Sequence, residues 1–140
     1  MVSELRKHDG IDLAAAITAL TEQIPGTRFG VDIDPALKVT DIDHAEILLR
    51  CAQEGITNAL RHGEAAHLTL RLAGTADEVA LLLRDDGRGL PEGGPPRDGH
   101  YGLRWLRERV EALRGSVTLE NLPPRGAQLA VRLPLAPENP

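Results

Sequence analysis

Residues 79–89, VALLLRDDGRG, join a continuous apolar run to a cluster of acidic residues and glycines. The run Val79–Leu83 predicts a central β-strand that is covered on both faces. The cluster 85–89 follows at the end of this strand, where glycines let a flat ligand approach the backbone and a carboxylate can accept from an exocyclic amine. A tight turn has the same composition. The stretch therefore predicts the centre of a sheet and, beside it, either a ligand site or a turn.

Apolar residues at helical spacing predict three helices elsewhere in the chain. They are expected over residues 11–24, from Asp43 to about His62, and over Leu103–Leu113. Asp43 is the predicted N-cap of the long helix, with Glu46 completing a capping box and Gly63 placed to end the helix.

Alternating apolar and polar residues predict four further strands. They are expected around Phe29–Ile33, Leu68–Leu72, Val117–Leu119 and Leu129–Leu133. Because consecutive strands favour hairpins, we predict the fold class α/β (α+β), a two-layer sandwich. Three helices would cover one face of a mixed, largely antiparallel sheet.

Composition excludes several classes of protein. The chain has 140 residues with 16 basic and 21 acidic side chains, a formal net charge of −5, which disfavours a nonspecific nucleic-acid binder. One cysteine, Cys51, excludes a disulfide framework or a multi-cysteine zinc site. No apolar stretch approaches the ~20 residues that span a bilayer, and Met1–Gly10 has no signal-peptide core. We therefore expect one compact, cytoplasmic domain.

Several catalytic motifs are also missing from the sequence. It contains neither a Walker-type phosphate loop nor a serine in a nucleophile elbow. The five histidines show no metal-ligand spacing. Cys51 lies in an apolar run and is expected to be a buried, inert thiol.

A polar stripe on the long helix is a second candidate site. Glu54, Asn58 and His62 are four residues apart and share one helix face, with Arg61 beside them. A carboxylate and an amide oxygen one turn apart can hold Mg²⁺ or a water bound to it. A solvated helix face would show the same spacing, so both interpretations stay open.

A third candidate site follows a loop that cannot form a regular element. Six of the ten residues from Leu90 to Gly99 are glycine or proline. Gly99 and Gly102 then precede the helix that begins at Leu103, and a helix N-terminus behind glycines presents free N–H groups to phosphate oxygens. A purely structural loop-to-helix junction is the alternative.

The three candidate sites, in this order, closely resemble one family. QEGITNALRH (53–62), DDGRG (85–89), HYGLRWLRERVEALRG (100–115) and RGAQLAVRLP (125–134) match its four sequence boxes. The chain resembles the ATP-binding catalytic domain of bacterial sensor histidine kinases, in the superfamily of DNA gyrase, the ninety-kilodalton chaperone and the mismatch-repair ATPases. The first and third boxes resemble the subfamily of the nitrate sensors and the thermosensing desaturase regulator. The resemblance extends over about residues 11–134.

The resemblance implies ATP and Mg²⁺ as cofactors and assigns roles to individual residues. Asn58 would coordinate the Mg²⁺ that bridges the phosphates, and Glu54 would support the metal or orient a water. Asp85 would accept from the adenine amino group. The remaining assignments are phosphate contacts by Arg61 and His62, room for the ring at Gly87 and Gly89, and an ATP lid over 90–100 with Gly99, Gly102 and Leu103 at its end.

Two residues depart from the family pattern. Ala127 stands where a threonine hydroxyl commonly supports an adenine-bound water, which predicts weaker or altered adenine recognition. Trp105 falls off the apolar stripe of its helix and is expected to be partly exposed, packing on its own domain or contacting the lid or a neighbouring domain.

The resemblance also implies partners that this chain does not contain. A histidine kinase transfers the γ-phosphoryl group to a histidine on a separate dimerisation domain, for relay to a response regulator. Residues 1–10 are expected to be a linker remnant and 11–140 the catalytic domain of a larger kinase, either cytoplasmic or the cytoplasmic end of a membrane-anchored sensor. The alternatives are an anti-sigma-factor-type serine kinase and a non-catalytic nucleotide-binding module.

Overall fold

A computed structural model describes residues 6–7, 10–22, 24, 26–61, 64–90 and 103–135. Within these ranges the helices are α1 (Leu13–Glu22), α2 (Ile42–Arg61) and α3 (Leu103–Ala112). The strands are β1 (Arg6–Lys7), β2 (Gly10–Ile11), β3 (Arg28–Ile33), β4 (His67–Gly74), β5 (Glu78–Asp85), β6 (Ser116–Asn121) and β7 (Ala127–Pro134). None of the helices in these ranges is long and apolar enough to cross a bilayer.

Five of the strands form one mixed sheet in the order β3-β4-β5-β7-β6. β3 runs parallel to β4, and the other three pairings are antiparallel. The predicted mixed, largely antiparallel sheet with three helices is confirmed. β5 lies at its centre because both of its edges are paired, to β4 and to β7.

The helices cover only one face of this sheet. Val79, Leu81 and Leu83 of β5 are buried, whereas Ala80 and Leu82 between them are only partly buried. The prediction that the apolar run is covered on both faces is therefore wrong. The cross-strand neighbours on the open face include Arg71 and Arg132, whose aliphatic stems can shield small apolar side chains without a second layer.

Aspartates cap the first two helices. Asp12 Oδ1 accepts a hydrogen bond from the Ala15 N–H at 2.8 Å, so α1 begins after Asp12, and it spans 13–22 instead of the predicted 11–24. At α2, Asp41 Oδ1 accepts from the N–H groups of Asp43 and His44 at 2.8 and 3.4 Å. The prediction that Asp43 is the N-cap is wrong, because Asp43 already lies in the first helical turn.

Three further predictions concern the ends of α2 and α3 and the N-terminal segment. α2 extends to Arg61, and the predicted end near His62 and Gly63 lies outside the described residues. α3 stops at Ala112, one residue before the predicted Leu113. β1 and β2 pair antiparallel within the segment predicted to be a linker, so that segment has some regular backbone structure.

The close approach of α2 to the sheet is set by a glycine. A Cβ atom on Gly55 would lie 2.5 Å from Leu83 Cδ2 and 2.8 Å from Leu129 Cδ2, much closer than atoms in van der Waals contact. The missing side chain therefore lets the helix settle onto β5 and β7. One turn later, Asn58 reaches the end of the sheet where β5 terminates at Asp85.

Candidate functional site

A cavity opens where α2, the start of α3 and the ends of β5, β6 and β7 meet. It encloses about 450 Å³ of empty space, part of it open to solvent. It is lined by Gly55, Asn58, Ala59, Leu83, Asp85, Gly89, Leu90, Leu103, Leu119, Ala127 and Leu129. Asn58 and Asp85 are the two polar side chains in this lining. Such a cavity suits a flat, largely apolar ring with a polar edge.

Asp85, the last residue of β5, forms the polar edge of the cavity. Its Oδ1 accepts a hydrogen bond from the Gly87 N–H at 2.8 Å. Burial beside the apolar wall raises the pKa of this carboxyl above its usual value, while hydrogen bonds from the backbone of Gly87 and Ala127 act in the opposite direction. The carboxyl thus carries a desolvation cost that a ligand donor would offset.

The next residue, Asp86, anchors the same loop to the neighbouring strand. Its Oδ1 accepts from the N–H groups of Ala66 and His67, both at 2.9 Å, and its Oδ2 lies 2.7 Å from His67 Nδ1. These bonds, first those from His67, lower the pKa of Asp86 to about 2. Asp86 therefore fixes the position of the loop that begins at Asp85, although it does not line the cavity.

The turn between β6 and β7 supports this loop from the other side. Gly126 has a φ of +104°, and a Cβ there would lie 2.0 Å from the Asp85 carbonyl oxygen. Arg125 Nε donates to the Gly87 carbonyl oxygen at 3.0 Å. Gly89 has a φ of +81°, which favours glycine. Loop and turn thus fit together through contacts that only glycine permits at two positions.

α2 contributes Asn58 to the cavity, whereas Glu54 and Arg61, its other predicted site residues, lie outside the lining. Asn58 is half-buried and lines the cavity. Glu54 is half-buried one turn earlier, and Arg61 is exposed at the end of the helix, and neither lines the cavity. Cys51, on the buried face, has its pKa raised to about 12, by burial first and then by the charge of Glu54. The expectation of a buried thiol is confirmed.

The structure brings four of the predicted site residues together around the cavity. These are Asn58, Asp85, Gly89 and Leu103. Gly87 is buried in the wall behind Asp85 and donates to it. The predictions for His62, Gly99, Gly102 and the lid beyond Leu90 lie outside the described residues.

A metal ion at this site would need oxygen ligands from the nucleotide. Among the described residues, no group of three or more His, Cys, Asp or Glu side chains is arranged to hold a metal. Asn58 offers one amide oxygen at the cavity. This donor set fits Mg²⁺, which is commonly held by one or two protein oxygens together with phosphate oxygens and water.

Trp105 lies close to this region on the outer face of α3. Its side chain is 49% exposed, so the predicted partial exposure is confirmed. The Cζ atoms of Arg50 and Arg109 lie 5.8 and 5.2 Å from the ring centroid, within cation–π range. Trp105 thus packs against charged side chains of its own domain; a role towards the lid or another domain stays a prediction.

Sequence analysis assigned no role to Asp86, Asn121 or Arg125. Each acts on the 85–90 loop through a contact with residues far away in the chain: Asp86 with His67, Arg125 with Gly87, and Asn121 with Leu90. The partner of Asp86 lies 19 positions away, so its contact has no local sequence signal. The other two contacts have none either.

The chain is similar to known proteins of one family. The family model of the histidine kinase-, DNA gyrase B- and HSP90-like ATPases matches residues 43–137. The chain is 32% identical over 133 residues to the signal transduction histidine-protein kinase/phosphatase UhpB of Salmonella typhimurium, covering 92% of this chain and 26% of UhpB. It is 33% identical over 84 residues to the nitrate/nitrite sensor protein NarX of Escherichia coli, covering 60% of this chain and 14% of NarX.

A solved structure of a similar protein has the same fold. The ATP binding domain of PrrB from Mycobacterium tuberculosis superposes with a TM-score of 0.69 at 26% identity, covering 89% of this chain and 91% of that domain. The chain therefore corresponds to a nearly whole domain of PrrB but spans only about a quarter or less of UhpB and NarX. The resemblance inferred from the four boxes is confirmed.

Proposed function

The chain belongs to the histidine kinase-, DNA gyrase B- and HSP90-like ATPase family, and on this premise we propose that it is the Mg-ATP-binding catalytic domain of a sensor histidine kinase. It donates the γ-phosphoryl group of ATP to a histidine on a separate dimerisation domain. The observation that carries the proposal is the cavity, whose two polar side chains are Asp85 at one edge and Asn58 at another, with apolar walls between them.

The adenine ring occupies the apolar part of the cavity. Leu83, Leu90, Leu119 and Leu129 offer it contact surface, and the Asp85 carboxylate accepts a hydrogen bond from its exocyclic amine. The burial that raises the pKa of Asp85 also strengthens this bond, because few waters compete for the carboxylate. Ala127 brings no hydroxyl to this edge, so Asp85 carries most of the recognition.

The phosphates extend towards the end of α2. Asn58 would hold Mg²⁺ through its amide oxygen, and Glu54, one turn earlier, would support the metal or orient a water. We assign phosphate contacts to Arg61 and His62 and to the N-terminus of α3, which begins at Leu103 and which Gly99 and Gly102 precede in the sequence. The metal supplies charge neutralisation between the β- and γ-phosphates when it is bound.

Phosphoryl transfer requires little covalent chemistry from this domain. A ring nitrogen of the acceptor histidine attacks the γ-phosphorus, the bond to the β–γ bridging oxygen breaks, and ADP leaves with the electron pair. The residues of this chain hold ATP in line with that attack and stabilise the charge on the equatorial oxygens. The partners are the dimerisation domain of the same kinase and a downstream response regulator, and the site operates in the cytoplasm.

The test combines binding with transfer. Calorimetry with ADP and a non-hydrolysable ATP analogue, with and without Mg²⁺, is expected to detect binding that is tighter with Mg²⁺. Asn58→Ala should remove most of that Mg²⁺ dependence while leaving adenine recognition intact. A matched control is Gln53→Ala, on the same helix but outside the cavity lining.

The transfer step is tested with labelled ATP and a purified phospho-acceptor domain of the matching kinase. Label should appear on histidine, in an acid-labile form, only when both domains are present. A folded sample that binds no nucleotide would contradict the proposal, as would label on a serine of an added anti-sigma-type partner. Neither alternative function is favoured, because UhpB is a histidine-protein kinase/phosphatase and the cavity is lined by both Asp85 and Asn58.

A further inference from the structure

Asn121, the last residue of β6, joins that strand to the loop that follows β5. Its Oδ1 accepts a hydrogen bond from the Leu90 N–H at 2.6 Å. The same oxygen would lie 2.5 Å from a Cβ atom on Gly89, so the loop backbone passes directly over the amide. This contact links residues 31 positions apart in the chain.

The contact holds one wall of the cavity. Leu90 and Leu119 both line it, and Leu119 precedes Asn121 by two residues, on the same face of β6. The cross-strand partner of Asn121 is Ala127, which also lines the cavity. The amide of Asn121 therefore sits at the rim of the wall formed by Leu90, Leu119 and Ala127.

We propose that Asn121 is a positioning residue for nucleotide binding, which it serves by fixing the Gly89–Leu90 backbone to β6 so that Leu90 keeps its place in the cavity wall. The inference rests on the proposed function. Asn121 belongs to none of the four sequence boxes that identify the family. It acts through Leu90 and has no contact with ligand of its own.

The geometry specifies what a replacement must preserve. The bond needs an acceptor oxygen at the position of the Asn121 amide oxygen, and an aspartate carboxylate can supply it. Leucine has nearly the same size as asparagine but no such oxygen. Asn121 is exposed, so loss of the bond leaves Leu90 N–H open to water and removes little from the folding equilibrium. The effect should instead appear in the local opening of the loop and in ligand affinity.

Hydrogen exchange in the nucleotide-free protein tests the anchor directly. In Asn121→Leu the Leu90 amide should exchange about 2- to 12-fold faster, the range expected for one hydrogen bond. In Asn121→Asp it should stay protected. The control is Glu120→Leu, an exposed change on the opposite face of the same strand, which should leave the Leu90 amide unchanged.

Calorimetry with ADP then tests the consequence for binding. Asn121→Leu should weaken ADP binding by about 2- to 12-fold, and its melting temperature should fall by at most the few degrees that the loss of one hydrogen bond causes. Asn121→Asp should retain wild-type affinity at an ionic strength that screens the added charge. Unchanged affinity or unchanged Leu90 exchange in Asn121→Leu would overturn the inference, as would equal weakening by both variants. If the wild type itself bound no ADP, the proposed function would fall, whereas normal wild-type binding with an unaffected leucine variant would remove only the role of Asn121.

Discussion

The two ends of the central sheet contain the same residue types but differ in what they can hold. At one end, Asp85 stands half-buried at an apolar cavity, and its neighbours include glycines at positive φ. At the other end, the turn between β4 and β5 and the N-terminus of α2 border a wide groove lined by Asp34, Asp41 and Asp77. Glycine occurs there too: a Cβ on Gly74 would lie 2.3 Å from the Glu78 carbonyl oxygen.

The difference shows that a carboxylate needs an apolar surrounding to become a recognition group. The carboxylates of Asp34 and Asp41 already bond to the nearby backbone. They accept hydrogen bonds from the N–H groups of Ala36 and Asp43 at 2.9 and 2.8 Å, respectively. Asp77 is exposed. Asp85 also accepts from its own loop, but the packing of α2 on β5 and β7 places it beside leucine side chains, where burial raises its pKa.

The largest effect is expected from a substitution that disrupts the contact between the 85–90 loop and the β6–β7 turn. Gly126→Ala adds a Cβ that would lie 2.0 Å from the Asp85 carbonyl oxygen, at a φ of +104°. Strain and overlap together should lower the free energy of unfolding by about 2–5 kcal/mol, and the displaced Asp85 backbone should also weaken ADP binding by the protein that remains folded. Denaturant unfolding and calorimetry measure the two effects.

Gly74→Ala is the matched change at the opposite end. It also introduces a clash with a carbonyl oxygen, and should cost about 1–3 kcal/mol of unfolding free energy. ADP affinity of the folded protein should be unchanged. A loss of affinity in Gly74→Ala equal to that in Gly126→Ala would mean that the two ends are not functionally distinct.

The next effect is the loss of the recognition carboxylate. Asp85→Asn removes the charged acceptor that we propose for the adenine amine and should weaken ADP binding by about 10- to 100-fold, the value of a hydrogen bond to a charged group. Titration calorimetry measures it. Asp77→Asn at the other end is the control, and its affinity should equal that of the wild type.

A smaller, pH-dependent effect distinguishes the two neighbouring aspartates of the loop. The pKa of Asp86 is lowered from its usual value of 3.8 to about 2, so its carboxylate stabilises the fold above about pH 4, and this stabilisation is lost as the pH falls towards 2. The melting temperature of Asp86→Asn should therefore lie below that of the wild type at neutral pH and converge with it in acid.

Asp85 should show the opposite sign. Burial raises its pKa, so the folded state favours the protonated form, and the associated stability is present in acid and lost as the pH rises through the folded pKa. The melting temperature of Asp85→Asn should thus gain on the wild type as the pH rises. Parallel pH profiles for the Asp85 and Asp86 variants would contradict the assigned environments.

The smallest effect, the alkylation of the native protein, is expected at Cys51, midway between the two ends of the sheet. Cys51 lies on the buried face of α2, and its pKa is raised to about 12. At about pH 8 an alkylating reagent should leave the folded protein unlabelled and label it fully in denaturant. Mass spectrometry over time measures this, and rapid labelling of the native protein would show that one end of the sheet opens readily.

The sequence predicted the parts of the site that lie within single motifs. Asp85 could be placed because the apolar run ends at Leu83, two residues before it, and Asn58 because helical spacing puts it on the face of Glu54. The roles of Asp86, Arg125 and Asn121 could not be predicted, since each contacts a residue at least 19 positions away. The coverage of β5 was mispredicted because an apolar run does not reveal which strand faces meet helices.

The amino-acid order alone determined the secondary structure, the fold class and the four boxes, since periodicity and glycine placement act over a few residues. The helix caps show the limit of that information: the sequence predicted Asp43 as the N-cap of α2, whereas the path of the chain places Asp41 there. Which end of the sheet becomes the site was decided by tertiary structure. Partial burial of Asp85, the close approach at Gly55 and the anchoring of Leu90 by Asn121 arise only when distant segments pack.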